Sequence, residues 1–200
     1  MAIFAIIIGI YPIMYLLVDM SERFLATKSE ELLGSVLWNI AFYQHILFGG
    51  ITLLVGWSQF LERFRNKYLK LHRNIGKGYF IAVLLSGTAG LYLSFFATTG
   101  WYASLGFGML AVFWLYTTWR AYHAIRAKQI EDHKHWMIRS YALTFAAVTL
   151  RLWMPIFLGL LRIDFLIAYP IISWICWVPN LLFTELIIRR SKMRIKLSSV

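Results

Sequence analysis

The chain has 200 residues, of which 60% are hydrophobic and only 14% are charged, and its mean hydropathy is +0.65. A soluble domain is usually about half apolar and a quarter charged, so this composition excludes one and indicates a membrane protein. The single cysteine, Cys176, excludes an internal disulfide and a cysteine-ligated metal cluster.

Six apolar stretches are long enough, at about 20 residues each, to cross a bilayer core as helices. In chain order they cover residues 2–19, 35–61, 78–98, 103–122, 137–160 and 166–188. We expect the first to be a span rather than a signal peptide, because no basic residue precedes it and no small-residue cleavage site follows it. Since no linker or repeat divides the chain, we predict a single all-α transmembrane domain over residues 1–200.

The connections between these stretches alternate in charge. Sixteen of the twenty basic residues lie in three segments, 62–77, 120–139 and 189–196. The positive-inside rule therefore places these segments and both termini in the cytoplasm. Attraction to an anionic leaflet accounts for the basic residues, so we expect the lipid bilayer rather than nucleic acid as partner. Glu185 lies four residues before Arg189, which predicts a local ion pair at the membrane edge.

The second span carries one polar face with small residues. Its polar members recur every seven residues: Trp38, His45, Thr52 and Gln59. Polar groups avoid lipid and glycines permit close helix contact, so this face should point into the bundle. An ionisable residue inside a span is a functional candidate, so we include His45. The alternative is a histidine that only bonds a neighbouring carbonyl.

The fifth span carries a second stripe at helical spacing, formed by Ser140, Thr144, Ala147 and Arg151. Arginine inside hydrocarbon is unfavourable by several kcal/mol unless it meets a partner or reaches the headgroups. At about 1.5 Å per residue, Arg151 and His45 lie roughly 21 and 24 Å from the inner ends of their spans. We therefore expect them to frame an outer pocket for a haem propionate, a quinone or a lipid phosphate.

Four of the five histidines lie on the predicted cytoplasmic side: His72, His123, His133 and His135. Imidazoles at several helix mouths could ligate haem iron or a divalent metal, with Glu131 and Asp132 as oxygen ligands. The alternative is that these histidines simply occupy the wet interface.

Several blocks of the chain together resemble a known family. They are His45–Gly50, Gly56–Phe60, Leu71–Arg73 with Gly76, and His135–Thr144 with Arg151. The set resembles a family of predicted bacterial membrane proteins that is known only as a domain of unknown function. The resemblance covers more than half of the chain. It implies a multi-pass protein of the inner (plasma) membrane and brings no established activity.

A looser likeness is to the transmembrane dihaem b-type cytochromes, including the ferric-reductase-like ones. In these, four consecutive helices hold two stacked haems through histidine pairs. The likeness implies His45, His72 and either His133 or His135 as three of the four ligand positions. The outer half of the fourth span, Ser104–Met109, has no histidine. An outer haem would thus need a water or Met109 as its sixth ligand, or would have none, while the inner pair could still hold haem b.

These observations predict a b-type haem-binding or quinone-interacting electron-transfer protein. His72 with His133 or His135 would be the inner ligands, and His45 with Arg151 would frame the outer pocket. Two other classes remain open. One is a transporter that binds a small solute or lipid in its polar interior, and the other is an accessory subunit that packs against membrane partners.

Overall fold

The protein is helical throughout the part that the structure shows. The structure is a computed structural model that describes residues 2–13 and 28–198, with side chains as far as residue 191 and at residue 193. Over these residues every regular element is a helix and no strand occurs. The predicted all-α class is therefore confirmed.

The α-helices of the described residues are numbered here in chain order. They are α1 (Ala2–Ile10), α2 (Glu30–Leu33), α3 (Val36–Gly56), α4 (Glu62–Lys67), α5 (Leu69–Ser94), α6 (Trp101–Arg126), α7 (Ile130–Thr144), α8 (Ala146–Pro155), α9 (Phe165–Ile175) and α10 (Val178–Ser198). Short 3₁₀ turns at Tyr11–Ile13 and Trp57–Phe60 extend α1 and α3. A π-helical turn at Ile156–Leu160 follows α8.

Three continuous helical stretches are long and apolar enough to cross a membrane, namely Val36–Phe60, Ile130–Leu160 and Phe165–Ser191. They coincide with the second, fifth and sixth predicted spans. The fifth starts earlier than the predicted residue 137, because the polar segment from Ile130 continues the helix. Polar side chains end an apolar stretch without ending a helix, so composition alone misses such extensions.

The other three predicted spans have a different outcome. The third overlaps α5, which ends four residues earlier at Ser94, and the fourth lies within α6; each of these helices has 26 residues. Glycine, serine, threonine and basic residues lower the mean hydropathy of both helices. They are therefore not among the helices that are long and apolar enough to cross a membrane by length and composition. The first predicted span, 2–19, is helical to Ile13, and its remainder lies outside the described residues. The six-span count and the cytoplasmic termini stay predictions.

Helices α3, α5, α6 and α7 form the centre of the molecule. Helix α3 packs on α5, α5 on α6, and α6 on α7, while α1, α9 and α10 lie against α3, α6 and α7. The largest buried cluster includes Tyr79, Trp114, Tyr141 and Trp177. These contacts agree with the predicted central group of the second to fifth spans.

Glycines permit the closest helix contacts in this group. A Cβ at Gly56 would lie 2.5 Å from Cε2 of Tyr141, and one at Gly87 would lie 2.7 Å from Cδ2 of Leu115. Neither distance is sterically allowed, so an alanine at either position would force the facing side chain, Tyr141 or Leu115, to shift. The predicted inward face of the second span is confirmed, since Trp38, Thr52 and Gln59 on that face are buried.

Candidate functional site

A cavity of about 1190 Å³ lies at the end of the molecule that carries the basic segments. Its walls are formed by residues between 59 and 80 and between 118 and 137, from the turn after α3 and from α4 to α7. We call it the basic-end cavity. Apolar and aromatic side chains line much of it, and two of them, Phe80 and Tyr122, stack with ring centroids 4.5 Å apart.

The charged side chains around this cavity are mostly positive. The basic ones are Arg65, Arg73, Lys77, Arg126, Lys128 and Lys134, and the acidic ones are Glu62 and Glu131. Six positive and two negative side chains give a net charge of +4. Apolar walls can contact the apolar body of a ligand, and the surrounding basic side chains can stabilise a negative charge on it. The cavity therefore suits a largely apolar molecule that carries or acquires negative charge.

Two of the predicted cytoplasmic histidines, His72 and His133, line the basic-end cavity. The His133 ring is oriented by its Nδ1, which lies 2.8 Å from the Ala121 carbonyl oxygen and donates to it. Burial lowers the pKa of His72 below its usual value, and electrostatic repulsion from the nearby His133, Arg65 and Arg73 side chains lowers it further. A neutral imidazole can donate and accept hydrogen bonds, so His72 can pair with either a hydrogen-bond donor or an acceptor of a ligand.

His72 and Gln59 each leave one buried polar atom without a hydrogen bond. His72 Nδ1 and Gln59 Oε1 have no partner among residues 2–13 and 28–198, and both side chains line the basic-end cavity. Buried polar atoms in native proteins are almost always bonded, so each exception asks for an explanation. Since both atoms lie beside one cavity, the basic-end cavity is the candidate site.

The other two histidines that were predicted to be cytoplasmic do not line this cavity. His123 is exposed near the end of α6, and His135 is buried within α7. Across the described part of the chain, no group of three or more histidine, cysteine, aspartate or glutamate side chains is placed to hold a metal ion. The structure thus brings together His72 and His133 out of the four predicted metal-ligand candidates.

The predicted outer pair, His45 and Arg151, is held by protein groups. His45 Nδ1 lies 2.9 Å from the Ser86 carbonyl oxygen, which is the neighbouring-carbonyl contact given as the alternative. Arg151 donates to the Ala147 carbonyl at 2.9 Å, and its guanidinium lies 4.8 Å from the Tyr11 ring centroid. The outer ligand pocket stays a prediction.

A buried network of hydroxyl groups joins α5, α6 and α7. The Tyr79 hydroxyl lies 2.9 Å from Ser140 Oγ and 2.8 Å from Thr144 Oγ1. Trp114 Nε1 donates to Thr144 Oγ1 at 2.9 Å, and Thr118 Oγ1 lies 2.6 Å from Ser140 Oγ. Ser140 and Thr144, two members of the stripe on the fifth span, are therefore buried in the bundle interior. Their three partners were not predicted, although isolated polar groups in apolar helices are the signal that could have found them.

Glu185 does not form the local pair that was predicted. It accepts two hydrogen bonds from Arg139, at 2.5 Å from Nε and 2.9 Å from Nη2. This ion pair joins α10 to α7, whereas Arg189 is exposed. A partly buried carboxylate gains more from a two-point contact with a guanidinium in a neighbouring helix than from a solvated side chain on its own helix.

Comparison with known proteins gives the family. Residues 42–188, more than half of the chain, match the family described as "Predicted membrane protein (DUF2306)". The chain belongs to this family, which confirms the resemblance seen in the sequence, and it is an integral membrane protein embedded in a lipid bilayer. The match includes every residue that lines the basic-end cavity. No curated protein and no solved structure matches the chain.

Proposed function

We propose that this DUF2306 membrane protein binds a quinone-type molecule in the basic-end cavity and takes part in electron transfer. The observation that supports the proposal is the pair of buried polar atoms beside the cavity. His72 Nδ1 and Gln59 Oε1 lack a hydrogen bond within the part of the chain that the structure describes. Ligand sites typically combine apolar walls with a few polar groups that orient the guest, and this cavity has that composition.

The chemistry of a quinone matches the other features of the cavity. Its flat apolar ring can contact aromatic side chains such as Phe80 and Tyr122, and its oxygens can pair with an imidazole. A quinone that accepts an electron becomes negatively charged, and positive groups placed in advance stabilise charge that develops in a reaction. The net charge of +4 around the cavity supplies such groups.

Haem b is a second candidate, and one observation favours it. His133 Nδ1 donates to the Ala121 carbonyl, which leaves Nε2 free in the manner of an axial ligand. The basic side chains could also pair with the propionates. His72 fits less well, because its Nδ1 lacks, among the described residues, the hydrogen bond that usually orients a ligating imidazole. Of the two expected inner ligands, His133 therefore suits haem better than His72.

We further propose that six helices cross the inner membrane and that the basic-end cavity lies on the cytoplasmic side. Helices α5 and α6 have 26 residues each, about 39 Å at 1.5 Å per residue, which exceeds a core of about 30 Å. Reporter fusions after residues 68, 99, 128 and 163 test this arrangement. Cytoplasmic reporter activity at 68 and 128 and external activity at 99 and 163 are expected, and any other pattern contradicts it.

Binding can be tested with the detergent-purified full chain. Tryptophan fluorescence is followed while a short-chain benzoquinone is added to the wild type, to His72→Leu and to the matched control His123→Leu, which changes an exposed histidine. Leucine can neither donate nor accept a hydrogen bond, so the loss of one hydrogen bond should weaken binding about fivefold to tenfold in His72→Leu, with no change in the control. Equal binding by all three would show simple partition into the micelle and would overturn the proposal.

The same preparation separates the other candidates. A reduced-minus-oxidised visible spectrum with a pyridine-haemochrome assay measures haem. A Soret band with an α band at stoichiometric haem content would favour haem b over a quinone. A folded chain that lacks haem and binds no quinone would leave the solute transporter and the accessory subunit as the remaining classes.

A further inference from the structure

The direction of one hydrogen bond fixes which atom of Gln59 is unpaired. The Ser58 hydroxyl donates to the Val55 carbonyl at 2.7 Å, so its oxygen can only accept from a neighbour. The Gln59 atom that lies 3.3 Å from Ser58 Oγ is therefore the amide nitrogen Nε2. The atom left without a partner among the described residues is the carbonyl Oε1. At this point the site offers a hydrogen-bond acceptor.

This acceptor lies beside the wall that carries His72. A Cβ at Gly76 would lie 4.0 Å from Gln59 Oε1, and Gly76 is one helical turn after His72 on α5. All three residues line the basic-end cavity. Gln59 is 7% exposed, and its last side-chain torsion is soft, so a small rotation can turn the oxygen towards a guest.

The two oxidation states of a quinone differ in what they offer to such an acceptor. The oxidised ring has carbonyl oxygens, which only accept hydrogen bonds, whereas the hydroquinone has hydroxyl groups that donate. A carbonyl placed against Oε1 would leave both oxygens unpaired, and a buried unpaired acceptor is unfavourable. His72 does not discriminate in this way, because a neutral imidazole has one donor and one acceptor nitrogen.

We propose that Gln59 makes the basic-end cavity selective for the hydroxyl-bearing, reduced form of its quinone. The inference rests on the proposed function and adds the oxidation state in which the ligand binds more tightly. One hydroquinone O–H donates to Gln59 Oε1, and the same oxygen pairs with the His72 ring. One neutral hydrogen bond predicts a preference of about fivefold to tenfold. Tighter binding of the reduced form raises the two-electron midpoint potential of the bound couple by about 30 mV for a tenfold preference.

The test measures the affinities of a short-chain benzoquinone and of its hydroquinone under anaerobic conditions. Gln59→Met removes the acceptor at similar volume and should abolish the preference, whereas Gln59→Glu keeps acceptor oxygens and should retain it. Gln59→Leu also lacks the acceptor and should likewise abolish the preference. Gly78→Ala is the control for a change on the neighbouring helix, since a Cβ there meets no atom within 4 Å.

The outcomes separate this inference from the function on which it rests. Equal binding of both forms by the wild type, or an unchanged preference in Gln59→Met and Gln59→Leu, would overturn the selectivity and leave quinone binding intact. Failure of both forms to bind would overturn the two proposals together. If Gln59→Met does not fold, Gln59→Leu and the comparison of the two forms on the wild type decide the question.

Discussion

Replacing Arg139 by glutamine should destabilise the protein through Glu185. The side chains are 17% and 33% exposed and share two hydrogen bonds between α7 and α10. The Arg139 guanidinium also lies 4.6 Å from the Trp136 ring centroid. Removing one member of a fully buried ion pair costs about 3–5 kcal/mol. Partial exposure of Glu185 allows some solvent screening, so we expect a loss of about 2 kcal/mol in the free energy of unfolding.

Thermal or denaturant unfolding in detergent measures this effect in a double-mutant cycle with Glu185→Gln. The double variant should be more stable than the sum of the single effects implies, by about 1–2 kcal/mol. Arg65→Gln serves as control, because its 3.8 Å contact with Glu62 lies at the surface and should change stability by less than about 0.5 kcal/mol. Strict additivity of Arg139→Gln and Glu185→Gln would refute the reasoning.

Three further changes test the packing and the site. Tyr79→Phe removes a hydroxyl that contacts two buried oxygens, so the free energy of unfolding should fall by about 1–3 kcal/mol, and an unchanged value would contradict the network. Gly87→Ala forces a methyl group to within 2.7 Å of Leu115 and should lower the melting temperature, which Gly78→Ala should not do. His72 has a lowered pKa in the folded chain, so the unfolded chain binds more protons below about pH 6.5, and stability should fall as pH drops through that value. His72→Gln should flatten this dependence in denaturant titrations at several pH values, and an identical pH profile would contradict it.

The fold could be predicted as far as bilayer thickness determines it. Apolar runs of about 20 residues gave the long helices at 36–60, 130–160 and 165–191. The helix ends could not be predicted in the same way. Helix α5 begins at Leu69 rather than near residue 78, because basic side chains are compatible with a helix that projects from the membrane.

The candidate site could be predicted in part. His72, His133 and Gln59 were each identified from charge, position or helical spacing, and the structure places all three at one cavity. Which residues converge depends on helix rotation and on contacts between distant segments. His135, two residues from His133, therefore lies elsewhere, and Glu185 pairs with a residue 46 positions away. The orientation of the Gln59 amide depends on Ser58 and Val55, which no sequence pattern distinguishes.

Photolabelling with an azidoquinone in native membranes tests the central claim most directly. After proteolysis, mass spectrometry identifies the labelled peptides with and without excess unlabelled quinone. Our account predicts label within residues 59–80 and 118–137, displaced by the unlabelled quinone and reduced in His72→Leu, which removes the hydrogen-bonding ring. Label confined to exposed apolar side chains of α10, such as Phe183 and Leu186, with no displacement, would contradict a quinone site in the basic-end cavity.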